Sequence, residues 1–324
     1  MPQHPLLTSL VLSALLVGCH ASSSRTPRET HAPEIYGAGL FTTGAWDFFL
    51  AFSPDQKRVL FCRADEQFEQ YEIFETRLGE DGHWSTPVKP RFATEWSNAD
   101  PHIAPDGRSV FFISNRPHPG ETAARATHDL WVASLQADDE WGEATRLPSP
   151  VNDANTDEWS PAVAANGNLY FGAERPGTHG DSDLWVSRLV DGVYQPPENL
   201  GDAINTRAAE VEPWIAPDER YLLFSALRRA DGVGSYDLYV SQRLPGGGWE
   251  KARLLGGGIN SPDRDFNQSV SPDGKWLYFS SNRPHAGDVD LGARFDHPRN
   301  DAALVGIGKG TGDIYRVPMS ALGL

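Results

Sequence analysis

One pattern recurs five times in this 324-residue chain and limits what the chain can become. A tight turn of the Pro-Asp-Gly type is followed at once by an apolar, aromatic run. The copies are SPDQKRVLF (53–61), APDGRSVFF (104–112), AANGNLYF (164–171), APDERYLLF (216–224) and SPDGKWLYF (271–279). Proline presets φ and Asp-Gly closes the reversal, so each copy predicts a hairpin between two strands. The turn positions Pro54, Pro105, Ala165, Pro217 and Pro272 stand 51, 60, 52 and 55 residues apart. A second shared run follows each hairpin: YEIFETRL from Tyr71, DLWVASL from Asp129, DLWVSRL from Asp183, DLYVSQRL from Asp237 and DIYRVPM from Asp313. These runs alternate apolar and polar residues, the period of a strand. A third element opens on an aromatic residue, at Trp84, Trp141, Tyr194 and Trp249.

Four short strands in each repeat of about 50 residues is the sequence pattern of a β-propeller blade. One four-stranded sheet cannot bury both faces alone, so blades must stack around an axis. The expected fold is all-β: a five-bladed β-propeller of four-stranded antiparallel blades. The residues resemble the WD40-like, TolB-type propeller repeat, above all in SPDGKWLYFSSNR (271–283). Six blades are usual in that family, and a six-bladed ring is the alternative, although no sixth repeat is evident. Ring closure is expected from the N-terminus. PEIYGAGLFT (33–42) aligns without gaps on PENLGDAINT (197–206), and the last repeat ends at DIYRVPM with no outer strand after it. Residues 33–42 should therefore lend the last blade its outer strand.

Gly and Pro together make up 56 residues, and ten Trp stand beside two Met, a balance that fits a turn-rich, aromatic β protein. With 39% apolar residues the chain is not generally disordered, and its length can bury a core without a metal or disulfide staple. A formal charge of −16 argues against nucleic acid as a partner, because phosphate binding needs clustered Lys and Arg. The ordered domain is expected over 33–324, preceded by a targeting segment. LLTSLVLSALLV (6–17) is too short to span a bilayer but suits a signal-peptide core, which sets residues 1–18 as the signal. Leu16-Val17-Gly18-Cys19 resembles the lipobox of bacterial lipoproteins, although Met-Pro-Gln-His-Pro before it lacks the usual Lys or Arg. By that resemblance Cys19 is lipidated, residues 19–32 form a flexible tether, and His20 favours the outer membrane of a Gram-negative cell. Cys62, the other cysteine, reads as a small buried hydrophobe.

Seven residues before each turn position stand Asp47, Asn98, Glu158, Glu210 and Asp265. Pseudo-symmetry should gather them as a ring at the channel mouth. Clustered carboxylates attract positive charge, so the ring could hold a cation such as calcium or a basic partner group. Alternatively, backbone donors or a neighbouring blade's arginine neutralise it. Arg116, Arg175, Arg228 and Arg283 end the second strand of four repeats, with Asp65 in the first. Asp129, Asp183, Asp237 and Asp313 start the third strand, with Glu72 in the first. The simplest expectation is a structural ion pair between these Arg and Asp residues across each hairpin. His118, His128, His179 and His285 also fall in these loops without zinc-ligand spacing. Asp288, Asp290, Asp296 and Asp301 lie in a long insertion of the last repeat that lacks the Gly and Glu of an EF-hand.

TolB-like propellers act as interaction modules in cell-envelope complexes. The resemblance thus implies a lipid-anchored, monomeric, extracytoplasmic module that binds an envelope protein, peptide or glycan. The alternative is an enzyme resembling the five-bladed glycoside hydrolases, which carry carboxylates at the axis. Such chemistry needs carboxylates in unequal environments, and a set repeated by register does not provide them. No Gly-x-Ser-x-Gly motif or Ser/His/Asp set suggests a nucleophile.

Overall fold

A computed structural model describes residues 32–118, 120–285, 307 and 312–324. The signal segment 1–18, Cys19 and the acidic insertion with Asp288, Asp290, Asp296 and Asp301 lie outside the described residues. A two-residue strand, β1 (Glu34–Ile35), opens the described chain. Blade 1 follows with β2 (Trp46–Phe52), β3 (Arg58–Ala64) and β4 (Tyr71–Arg77). Blade 2 holds β5 (Asn98–Ile103), β6 (Ser109–Ser114), β7 (Asp129–Ser134) and β8 (Thr145–Arg146). Blade 3 holds β9 (Glu158–Val163), β10 (Leu169–Ala173) and β11 (Asp183–Ser187). A side hairpin, β12 (Leu189–Val190) and β13 (Val193–Tyr194), precedes its outer strand β14 (Glu198–Asn199). Blade 4 consists of β15 (Ala209–Ile215), β16 (Tyr221–Leu227), β17 (Tyr236–Gln242) and β18 (Arg253–Leu254). Blade 5 contributes β19 (Asp265–Val270), β20 (Trp276–Ser281) and β21 (Asp313–Pro318). Every pairing within the blades is antiparallel. The fold is a five-bladed β-propeller.

Each Pro-Asp-Gly-type turn joins the first two strands of a blade, as its chemistry requires: Ser53 N–H bonds back to Arg58, Ala104 to Ser109, Ala216 to Tyr221 and Ser271 to Trp276. Closure runs as the alignment expects. Glu34 and Ile35 pair with Arg316 and Tyr315 on β21, while Glu198 and Asn199, their aligned counterparts, pair with Val186 and Trp185 on β11. Leu40 and Phe41 then pack with Leu50, Val59, Phe61, Tyr278 and Ile314, which seals blade 1 against blade 5. Burying that apolar surface stabilises by roughly 25 cal/mol per Å², and it removes the free edge of the last sheet.

Candidate functional site at the propeller axis

Asp47, Asn98, Glu158, Glu210 and Asp265 are the first or second residues of the five innermost strands, and all are buried, between 0% and 1% exposed. They do not meet at the mouth. Each turns instead to an arginine of its own blade. Arg63 Nε donates to Asp47 at 2.6 Å, Arg116 Nη2 to Asn98 at 2.8 Å, Arg175 Nη2 to Glu158 at 2.6 Å and Arg283 Nη2 to Asp265 at 2.5 Å. Arg229 lies 3.6 Å from Glu210. Hydroxyl and amide donors complete the shell: Thr43 O–H reaches Asp47 at 2.7 Å, Thr206 reaches Glu210 at 2.6 Å and Ser261 reaches Asp265 at 2.8 Å. The guanidiniums also stack on the repeated aromatics, for example Arg116 at 4.7 Å over Trp131 and Arg229 at 4.6 Å over Tyr239. Arg116, which faces an amide rather than a carboxylate, is lowered by burial to about 10 and stays charged.

The expected partners of these arginines change accordingly. Arg116 does not pair with Asp129, nor Arg175 with Asp183, nor Arg228 with Asp237; Arg283 pairs with Asp265 rather than Asp313. The second strand lies between the first and the third, and its arginine leans toward the buried acid. The third-strand aspartates serve their own loops. Asp129 takes a two-point bond from Arg146 and one from His118, Asp183 accepts from Asn199 at 2.6 Å, and Asp237 accepts from Val233 and Gly234 N–H groups. Asp313 is buried opposite Ser281. In blade 4 the chain runs Leu227-Arg228-Arg229, and Arg228, at φ 54°, leaves the pairing role to Arg229.

Two residues past each of these buried positions, the innermost strand breaks its register. Phe49, Asp100, Ser160, Glu212 and Asn267 sit there with φ between 49° and 58°, and the ladders skip at the same points. Positive φ at five residues that are not glycine is strain of about 1–3 kcal/mol apiece, and it recurs where a bulge re-aims side chains. Here it turns Asp100, Ser160, Glu212 and Asn267 to a cavity of about 450 Å³ on the axis. Phe48, Phe68, Tyr71, Trp159, Tyr236 and Phe266 form aromatic walls, and His128, Asp157 and Arg264 line the cavity as well. That volume suits a small organic ligand.

The two bulge acids stand in unequal environments. Ser160 Oγ donates to Asp100 at 2.6 Å, so a hydroxyl from the next blade holds this carboxylate. Burial raises Asp100 above its ordinary value, and Ser160 and the field of His128 only partly oppose it. Glu212 accepts the Asn267 N–H at 2.8 Å, also from the next blade. Burial, with Asp100 as a smaller like-charge contribution, lifts Glu212 to about 7. What exposure Glu212 keeps opens into the cavity. Sequence reasoning did not reach these residues. The signal was present two positions beyond the repeated acids, as the register at which the five blades stop agreeing: Phe, Asp, Ser, Glu, Asn.

Among the described residues, no group of three or more His, Cys, Asp or Glu converges as a metal site. His118 bonds Asp129, His179 lies 3.2 Å from Asp202, and His128 N–H donates to Asp157. Cys62 is free and buried, and burial pushes its thiol well up. No described helix is long and apolar enough to cross a membrane.

No protein-family model matches the chain. Among curated proteins it is 25% identical over 248 residues to the uncharacterized peptidase YuxL of Bacillus subtilis, a match covering 74% of this chain and 30% of that protein. Among solved structures it resembles a glycoside hydrolase with a TM-score of 0.56 at 10% identity, over 89% of this chain and 92% of that one. An α-L-arabinofuranosidase from Lactobacillus brevis aligns with a TM-score of 0.50 at 11% identity, covering 88% and 92%. A thermostable family-43 glycoside hydrolase gives 0.50 at 13% identity over the same shares. Identities this low are likenesses of fold. These likenesses support the propeller architecture; neither they nor a family model supports a TolB-type family membership.

Proposed function

We propose that this propeller is a glycoside hydrolase acting in the axial cavity, with Glu212 as general acid and Asp100 as general base or nucleophile. One observation carries the reading: of the acids on the innermost strands, the bulge pair makes no ion pair with an arginine among the described residues, and its two members differ in environment. Unequal carboxylates are what glycosidic cleavage requires. A Glu212 that keeps its proton to about pH 7 can donate it to the leaving oxygen as the bond from that oxygen to the anomeric carbon breaks. Asp100, which accepts the Ser160 hydroxyl, can in its ionised form take a proton from the attacking water as the new C–O bond forms. Net, one water is consumed and no other reactant is needed. The aromatic walls offer apolar faces for sugar rings, and hydrolases among the structural neighbours support the assignment.

The test is turnover of a panel of aryl furanosides and pyranosides, including α-L-arabinofuranosides, by wild type, Glu212→Gln and Asp100→Asn. Removing a general acid or base is expected to cost on the order of 10²- to 10⁴-fold in kcat. Folded wild type that binds glycans or peptides in the cavity but turns over none of the panel would return the protein to the binding-module reading.

A further inference from the structure

The cavity holds a cation, Arg264, whose environment differs from that of the four ring arginines that hold a carboxylate. Arg264 is anchored by its backbone: its N–H donates to Asn282 Oδ1 at 2.8 Å and its carbonyl accepts the Asn282 N–H at 3.2 Å. Its guanidinium carbon lies 4.9 Å from the centre of the Tyr236 ring, 5.2 Å from Phe266, 5.8 Å from Phe68 and 6.0 Å from Trp46. Aromatic packing of this kind covers the faces of the guanidinium and leaves its edge N–H groups to hydrogen-bond in plane.

Those edge groups have no paired anion among the described residues, although the guanidinium's charge reaches Glu212. Among the described residues no carboxylate lies within ion-pair distance of Arg264, and its Nε is enclosed without a hydrogen-bond partner. Arg63, Arg175, Arg229 and Arg283, by contrast, each hold a buried carboxylate. An enclosed guanidinium donor with no acceptor carries a desolvation cost that a bound anion would remove. The aromatic box is also the place where a cationic ligand would settle, and Arg264 already fills it.

We propose that Arg264 binds the carboxylate of a carboxylated sugar, so that the cavity takes glycans bearing a uronic-acid unit. The sugar part of this inference rests on the glycoside hydrolase reading, whereas the anion part rests on Arg264. One carboxylate matches one guanidinium fork in both shape and charge. A phosphate would bring nearly two negative charges into a cavity that already holds Asp100, Asp157 and Glu212. Seated against Arg264, the ligand carboxylate would sit in the same cavity as Glu212, and so would position the sugar relative to the proton donor.

Binding rather than turnover tests this, using free sugars that have no glycosidic bond to lose. Wild type is titrated calorimetrically with D-galacturonate, D-glucuronate, their methyl esters, and an acetylated dipeptide with a free C-terminus. The ester keeps the shape and removes the charge. At least one acid is expected to bind roughly 10- to 100-fold tighter than its ester, as for a charge-assisted hydrogen bond. The gap should vanish in Arg264→Met and return in part in Arg264→Lys, with melting curves checking the fold. Should Arg264→Met not fold, the acid–ester gap in wild type and its reduction in Arg264→Lys decide the matter. Equal binding of acid and ester, a gap that survives loss of Arg264, no uronate binding, or Arg264-dependent binding of the dipeptide alone would each overturn the proposal. Arg264-dependent uronate binding in a protein that cleaves no glycoside would instead leave this inference standing and remove the hydrolase reading.

Discussion

Two sets of residues only two positions apart on the same innermost strands have opposite fates. The first set, Asp47, Asn98, Glu158, Glu210 and Asp265, repeats in every blade and is bound by arginine in every blade. The second set, Phe49, Asp100, Ser160, Glu212 and Asn267, is the same in no two blades, and all but Phe49 face the axial cavity. Repetition around a pseudo-fivefold axis marks what each blade needs for itself. A buried acid, an arginine and an aromatic shelf lock the start of the inner strand to its neighbour. Departure from repetition marks where the axis has been given distinct chemistry, and the bulge that re-aims those side chains costs strain that packing alone does not require.

The largest expected effect breaks the first set. Arg175→Met strands Glu158, which is 0% exposed, as an unpaired charge. Removing one partner of a buried pair costs about 3–5 kcal/mol, so a large drop in melting temperature is expected. Arg264 ion-pairs with no carboxylate among the described residues and only weakly favours the charged form of Glu212, so Arg264→Met should cost far less. Calcium should not raise the melting temperature of wild type, because arginine already occupies the charges that would bind it. A calcium-stabilised wild type, or equal losses in the two arginine variants, would erase the distinction between ring and cavity.

The fold was legible because its determinants are local. Pro54, Pro105, Pro217 and Pro272 set turns within a few residues, and the alignment of residues 33–42 on 197–206 is direct sequence likeness. The buried acids were legible as a register but not as a function, because their partners depend on which neighbouring strand an arginine leans toward. In blade 1 that arginine is Arg63, two residues earlier than the position that aligns with Arg116; a period of two keeps it on the same face. In blade 4 one residue more moves the role from Arg228 to Arg229. The cavity set was hidden for a different reason. A bulge inserts one residue and interrupts the alternation from which facing is read, so Asp100 and Glu212 could not be assigned to the axis from period alone.

A smaller effect follows from the proton on Glu212. Unfolded, this carboxyl releases its proton near the ordinary value of 4.5; folded, it keeps it to about 7. Between those values the folded state binds more protons than the unfolded one, so stability falls as pH rises through the window and is flat outside it. Glu212→Gln removes the penalty while its amide oxygen can still accept the Asn267 N–H. The variant should therefore be more stable than wild type at pH 8, by at most about 3 kcal/mol, and equal to it at pH 4. Urea titrations at the two pH values measure this. A variant that gains stability as it loses turnover would mark Glu212 as strained for function; one that loses stability at both pH values would place it with the structural acids.

The smallest expected effect compares one hydroxyl from each set. Thr206 donates to Glu210 at 2.6 Å in the ring, and Ser160 donates to Asp100 at 2.6 Å in the cavity. Each bond goes to a buried carboxyl, so Thr206→Val and Ser160→Ala should each cost roughly 1–2 kcal/mol of stability. Stability alone would not tell them apart. The pH dependence of kcat/KM would, because only Asp100 is expected to exchange a proton with water during turnover. Ser160 stabilises the charged form of Asp100, so its loss leaves burial less opposed and raises the carboxyl further. The acidic limb of the profile should then move to higher pH and narrow the bell from the left, while the alkaline limb, set by Glu212 near 7, stays in place. Thr206→Val should leave both limbs unmoved, since Glu210 touches no substrate. If Ser160→Ala leaves the acidic limb where it was, Asp100 is not the group that titrates there, and the base must be sought at Asp157 on the same cavity wall.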